Sequence, residues 1–309
     1  MNKEHRPVLK EEVLSALSLQ PEQVYVDATF GRGGHALGIL ERLGAKGRLL
    51  CFDQDPDAIL QAYSIMGQDP RVQIFRQNFS NLKHTLETLD LLGKVSGILL
   101  DLGVSSPQLD EANRGFSFMR AGPLDMRMDK ERTPDAKDWL NTASVEEISW
   151  VLKHYGEERF AWRIANNIVT ARNLKPLTCT TELAKIVEQC VPKKKNGKHP
   201  ATQTFQAIRI YINDELFALE KVLADSLDIL APNGRLCIIT FHSLEAQIVK
   251  QFARKYSTTS VPKTVPIRQA SVQLKLKPKV KKIKPSSEEI LSNPRARSAV
   301  LRIIERQNP

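Results

Sequence analysis

Apolar positions in the first hundred residues follow two alternating rhythms. Segments 24–28, 48–53, 72–75 and 95–101 are short runs apolar at nearly every position, as in Ile98-Leu99-Leu100 before Asp101. Between them, 35–43, 57–66 and 82–92 carry apolar residues at three- and four-residue spacing, and 11–19 does the same ahead of the first run. Runs apolar on both faces, separated by helices, predict a parallel sheet covered on both sides. The rhythm breaks over 103–134, which is rich in Gly, Ser, Pro, Asp and Arg and reads as a long loop of the kind that usually carries function. Segments 138–143, 144–154, 157–172 and 180–190 are helical only. Ser144 and Glu147 are spaced as a capping box, and Thr180 is placed to cap the last helix. Near Asn213 the α/β rhythm returns, with a helix over 214–230, the turn Pro232-Asn233-Gly234, a strand over 235–241 and a final strand over 299–304. The pattern predicts an α/β domain made of 1–134 and 213–309, interrupted by a helical insertion over 135–212.

The 309 residues, 41% of them hydrophobic, are enough for a sizeable core. No apolar run is long enough to span a bilayer, and Met1–Pro7 lacks the apolar stretch of a signal peptide, so a cytoplasmic location is expected. Cys51, Cys179, Cys190 and Cys237 are scattered, with no CxxC pair, which predicts reduced thiols. The net charge of +10 is uneven. From Ala246 to Ser287 there is no acidic residue, while that stretch holds Lys250, Arg254, Lys255, Lys263, Arg268, Lys275, Lys277, Lys279, Lys281, Lys282 and Lys284. A second cluster is Lys193-Lys194-Lys195-Asn196-Gly197-Lys198. Two such clusters predict contact with a polyanion, of which nucleic acid is the commonest. Oligomeric state is not legible.

Strand 24–28 runs into Gly31-Arg32-Gly33-Gly34-His35, and strand 48–53 ends in Asp53 about twenty residues further on, the spacing of a βαβ nucleotide site. Ala36 stands where a dinucleotide fingerprint has its third glycine, a tolerated variant. Asp27 would repel a diphosphate at short range in a partly dry cleft and suits a cationic ligand. S-adenosylmethionine, with its sulfonium and ammonium groups, fits better than NAD. Ligands of open α/β sheets bind beyond the carboxyl ends of the strands. Asp27 to His35, Asp53-Gln54-Asp55, Asn78-Phe79-Ser80 and Asp101-Leu102-Gly103 should therefore converge. Asp53 is placed to accept from both ribose hydroxyls, Phe79 to wall the adenine, and Asp101 to face the ammonium or sulfonium. Gly33 and Gly34 would let the backbone approach the ligand without a Cβ in the way. Asp55 is equally placed to cap the helix that opens at Pro56, and His35 to be an ordinary helix-start residue. No metal is expected, since no His–carboxylate spacing of a metal cluster accompanies these acids.

Directly after the fourth strand come Ser105, Ser106, Pro107 and Gln108. Enzymes that methylate exocyclic base amines commonly place a polar-Pro-Pro-aromatic loop here, whose polar side chain and backbone carbonyl accept the amine hydrogens. Ser106-Pro107-Gln108 is similar, with Gln in place of the aromatic. Phe116 or Phe118 is placed either to supply the missing stacking face or to bury the loop.

These blocks closely resemble the bacterial small-subunit ribosomal RNA cytosine-N4 methyltransferase family, type H, also called MraW. The resemblance rests on Asp27 through His35, Asp101 through Asp110 and Arg114 through Met128. It continues in Tyr155-Gly156-Glu157-Glu158-Arg159, His199 through Ala207, Phe241-His242-Ser243-Leu244-Glu245 and Asn293 through Ser298. It implies a Rossmann-like, class I S-adenosylmethionine-dependent fold and cofactor contacts at Gly33, Gly34, His35, Asp53, Phe79, Asp101 and Gln108. It also implies methylation of the exocyclic amine of a decoding-centre cytosine in 16S rRNA, presented as RNA or as a small ribosomal subunit. On that footing the target cytosine is splayed into the cleft and its N4 attacks the sulfonium methyl in line. Ser105, Ser106 and Pro107 are the candidates to orient the amine, with Asp101 a weaker one because the cofactor occupies it. Methylation at C5 would need a thiolate, and no cysteine lies in a loop after a sheet strand near this site. The insertion is expected to grip RNA through Arg159, Arg163, Arg172 and the Lys193–Lys198 run. His242 is placed for RNA contact or for a local hydrogen bond, and the basic stretch 257–287 has no assigned role. An NAD-dependent dehydrogenase and a non-catalytic ribosome-assembly factor are the competing readings.

Overall fold

The computed structural model describes residues 7–192, 199–258, 274–278 and 280–308. They form two compact units, one of Met1–Gly103 with Leu216–Pro309, the other of Val104–Glu215.

The strands of the first unit are β1 (Val24–Asp27), β2 (Arg48–Asp53), β3 (Val72–Arg76), β4 (Val95–Asp101), β5 (Leu230–Thr240), β6 (Lys281–Ile283) and β7 (Val300–Glu305). They make one seven-stranded sheet in the order β3-β2-β1-β4-β5-β7-β6. β1 to β5 run parallel, β7 is antiparallel to β5, and β6 is antiparallel to β7. Chain order reverses between β1 and β4, which puts the switch point of this Rossmann-like sheet beside the carboxyl ends of those two strands. Before the second unit come α1 (Lys10–Leu17), α2 (Gly34–Leu40), α3 (Pro56–Met66) and α4 (Leu82–Thr88). The second unit holds α5 (Ser106–Asp110), α6 (Ala136–Thr142), α7 (Val145–Gly156), α8 (Ala161–Leu174), α9 (Thr180–Cys190) and α10 (Ala201–Ile212). The chain then returns through α11 (Glu215–Ile229), α12 (Ser243–Ser257) and α13 (Ser287–Ser292).

Strand residues alternate between two apolar layers, as period-two side chains must. Tyr25, Leu49, Cys51, Leu99 and Cys237 pack with α1, α2 and α3, while Val26, Leu50, Phe52, Ile98 and Ile238 pack with α4, α11 and α12. This is why the central strands are apolar at consecutive positions. β5 begins earlier than the sequence predicts. Leu230 pairs with Val95 and Arg235 with Gly97, so residues 231–234 bulge out of the register, with Asn233 at φ +60°. β6, α10, α12 and α13 were not legible as elements.

The second unit has its own core, built from Trp139, Leu140, Ile148, Val151, Ile164, Ile168, Leu183, Val187, Phe205 and Ile208. The segment expected to belong to the sheet domain up to residue 134 lies in this unit instead. Leu124 and Met126 are fully buried in the helical core. Leu124 N–H donates to Thr178 O, and Asn213 bridges the segment by donating to Met126 O and accepting from Met128 N–H, each at 2.8 Å.

Candidate functional site

β1, β2 and β4 each end on an aspartate: Asp27, Asp53 and Asp101. The chain leaving β1 is held between the neighbouring strands, with Ala28 N–H donating to Leu99 O and Phe30 N–H to Phe52 O. Thr29, which no motif singles out, accepts the Asp101 N–H on its hydroxyl at 2.7 Å. Gly31 N–H donates to Asp53 Oδ2 at 2.8 Å, and Asp55 N–H to Asp53 Oδ1 at 2.9 Å. These bonds lock the turn after β1 to the ends of both β2 and β4. Asp55 itself accepts from Asp57 N–H and caps α3. Asn78 donates to Gln54 at 2.8 Å, which ties the turn that opens with the half-buried Phe79 to the end of β2.

The electrostatics of this rim are unusual. Asp27 is 1% exposed; its Oδ1 accepts from Thr29 N–H, and its Oδ2 has no hydrogen-bond partner. Burial pushes its carboxyl up to about 7, against the nearby His35 ring. Burial likewise pushes Asp53 up to about 6, against the backbone N–H groups of Asp55, Gly31 and Gln54. His35, at the start of α2, is buried, with Nε2 at 3.6 Å from Asp101 Oδ2, beyond hydrogen-bond range. Neither ring nitrogen has a hydrogen-bond partner, nor does Asp101 Oδ1. Buried polar atoms are ordinarily satisfied. A cluster of three carboxylates holding two unpartnered acceptor oxygens suits a cationic ligand with N–H donors.

The glycines divide differently from expectation. A Cβ at Gly33 would lie 2.6 Å from Phe30 Cζ and 2.7 Å from Ile65 Cδ1, and one at Gly34 would lie 2.6 Å from Pro7 Cγ. What the missing side chains make room for at 33 and 34 is protein, so that α2 can start against its neighbours. Gly31, at φ +54°, has only Thr29 O within 4 Å, at 3.9 Å. It is the glycine that leaves open space over the turn.

Gly33, Gly34, His35, Asp53, Phe79 and Asp101 all belong to the sheet unit. Ser105, Ser106, Pro107 and Gln108 open the second unit, at the start of α5. Gln108 is buried, and its side-chain oxygen accepts Ser105 N–H at 2.9 Å, which fixes the first turn. Phe116 is 6% exposed, with Arg114 over its ring, and Phe118 stacks on His199 and meets Phe205 edge-on. Both rings are used in packing. Arg172 donates to Leu140 O at the end of α6, a structural contact. His242 caps the start of α12, its Nδ1 accepting from Glu245 N–H at 3.5 Å, while its Nε2 lies 3.0 Å from Glu245 Oε1 without a hydrogen-bond partner. The Lys193–Lys198 run lies outside the described residues, as do Lys263, Arg268 and Lys279. Cys237 is buried inside β5 and its thiol is pushed up to about 12, unsuited to thiolate chemistry. Among the described residues no group of three His, Cys, Asp or Glu is placed to hold a metal ion, and no helix is long and apolar enough to cross a membrane.

Residues 2–307 match the MraW methylase family. A ribosomal RNA small subunit methyltransferase H from Coxiella burnetii (strain Dugway 5J108-111) is 52% identical over 302 residues, 98% of either chain. The protein of the same name from Coxiella burnetii (strain CbuG_Q212) is 51% identical over the same length. Among solved structures, an rRNA methylase from Streptococcus thermophilus aligns over 99% of either chain, with a TM-score of 0.42 and 12% identity.

Proposed function

The chain belongs to the MraW methylase family, and we propose that it methylates the exocyclic N4 of a decoding-centre cytosine in 16S rRNA. S-adenosylmethionine is the methyl donor, and when bound it supplies an electrophilic methyl on a sulfonium. The observation that carries the reading is the acidic rim itself: Asp27, Asp53 and Asp101 end three adjacent strands, and Asp27 Oδ2 and Asp101 Oδ1 have no hydrogen-bond partner. A site of this charge favours a ligand bearing two cationic groups over a dinucleotide diphosphate. Asp101 and His35 would hold the methionine end. Asp53 would take the ribose, its position fixed by the Gly31 and Asp55 N–H groups, and Phe79 would wall the adenine. Gly33 and Gly34 contribute the backbone of the turn, and Gln108 braces the loop behind Ser105.

Cytosine N4 is a poor nucleophile because its lone pair is delocalised into the ring. Ser105, Ser106 and the backbone at Pro107 would accept its hydrogens, localise the lone pair and aim it. Such positioning is worth several orders of magnitude in rate when the reacting atoms are held in line. The helical unit, with exposed Arg159 and Arg163, would hold the RNA strand. The test is a Ser106→Ala, Pro107→Ala variant assayed with saturating donor and small-subunit RNA. Turnover should fall about tenfold or more while donor affinity stays unchanged. Unchanged turnover would rule out this loop as the amine-orienting element.

A further inference from the structure

The chain has three tryptophans, and they are not used alike. Trp139 is 4% exposed in the helical core, where its indole N–H donates to Glu147. Trp150 and Trp162 are 50% and 57% exposed, and both lie on one hairpin, α7 and α8 joined by residues 157–160. The apolar faces of these helices are already spent on the core through Ile148, Val151, Leu152, Ile164, Ala165 and Ile168. The two exposed indoles therefore stand on the opposite, solvent faces.

Trp150 is held rigid. His154 stacks on it with ring centroids 4.5 Å apart, and Tyr155 meets it edge-on at 5.4 Å. His154 Nδ1 lies 2.8 Å from Trp150 O. A carbonyl only accepts, so Nδ1 carries the hydrogen and the imidazole is fixed beneath the indole. A large ring braced from one side and open to solvent is a preformed stacking platform, and its ordering cost is met before any ligand arrives. Exposed charges of both signs surround it: Lys153, Arg159 and Arg163 against Glu146, Glu147 and Glu157. Among the described residues no ion pair takes any of those three cations. Indole faces interleaved with Lys and Arg are the chemistry of single-stranded nucleic-acid binding, in which bases stack and phosphates meet cations.

We propose that the solvent face of the α7–α8 hairpin binds an unpaired RNA segment flanking the methylated base, with two bases stacked on Trp150 and Trp162. This rests on the rRNA reading above and adds to it the surface that holds the strand. The experiment compares the full chain with a Trp150→Ala, Trp162→Ala variant and a Trp150→Phe, Trp162→Phe variant. Three quantities are read: anisotropy of a labelled single-stranded RNA oligonucleotide, methyl transfer to small-subunit RNA, and calorimetric donor binding, which reports folding of the sheet unit. The alanine pair should weaken oligonucleotide binding and raise KM for RNA by about tenfold per ring, with kcat and donor affinity unchanged. The phenylalanine pair should recover most of the loss, because stacking survives. Unchanged oligonucleotide affinity and KM in the alanine pair overturns the proposal while leaving the rRNA reading standing. A loss confined to assembled subunits, with naked RNA bound normally, overturns it in favour of a protein partner. A wild-type chain that binds donor but transfers no label to RNA removes the rRNA reading, and this one with it.

Discussion

Asp27 concentrates the physics of the site in one side chain. In the unfolded chain its carboxyl titrates near 4, whereas burial in the fold moves it to about 7. A folded value above the unfolded one means the native state binds the extra proton between those limits. The stability it contributes is therefore full below about pH 4 and is lost as pH rises through about 7, a change of order 4 kcal/mol. An Asp27→Asn variant should show a flatter stability–pH curve between pH 4 and 8 and should be the more stable protein at pH 8, by chemical denaturation. An unchanged slope would place the proton elsewhere. Donor binding should follow the opposite trend, since only the ionised carboxylate attracts a cation: affinity in the wild type should rise between pH 6 and 8, and less steeply in the variant, where Asp53, pushed up to about 6, still gains its charge. Asp53 acts differently. Its two oxygens are engaged by Gly31 and Asp55 N–H groups, so Asp53→Ala would remove the proposed ribose contact and free the turn together. Calorimetry should find donor uptake lost while RNA binding persists; retained uptake would remove Asp53 from the site.

At the level of elements, the end of β5 and the start of α12 are joined by a buried polar knot. Glu245, 3% exposed, accepts from Phe241 N–H at 2.7 Å and His242 N–H at 3.2 Å. Arg302 of β7, 4% exposed, donates to Thr240 Oγ1, and burial lowers its guanidinium against the steadying charge of Glu245. Removing one charge from such a cluster leaves the other buried without compensation. Glu245→Ala should cost about 3 kcal/mol or more, read as a lower denaturant midpoint at unchanged slope; a loss under 1 kcal/mol would make the knot incidental. The knot also shows why α12 escaped the sequence. Its cap is His242, and beyond Glu245 the chain is basic with no acid until Glu288. Charge dominates that stretch, while the apolar spacing through Val249, Phe252 and Ala253 is brief. β6 was hidden for a related reason: it is three residues long, with Lys281 and Lys282 exposed, the usual protection of a sheet edge.

Over the whole molecule, legibility tracked periodicity. The six longer strands and the helices between the first four follow from apolar rhythm, because every one of those strands but the half-buried edge strand β3 is buried on both faces. The acids at the strand ends were legible for the same reason, since each closes an apolar run. The boundary of the second unit was not, because residues 104–134 are held by isolated buried positions and backbone bonds: Arg114 to the carbonyls of Arg127 and Met128, Asn213 to Met126. Contacts of that kind leave no period to read. The role of Gly31 is not legible beside Gly33 and Gly34, because sequence records which positions lack a Cβ but not what fills the space. The acceptor atom distinguishes N4 transfer from every other methylation this fold could carry. Isolated small ribosomal subunits should be incubated with the protein and methyl-labelled S-adenosylmethionine, then digested with nuclease and analysed by mass spectrometry. A single labelled cytosine is expected, carrying its new methyl on the exocyclic nitrogen. Label on ring carbon C5, on another base, or on no RNA at all would contradict it.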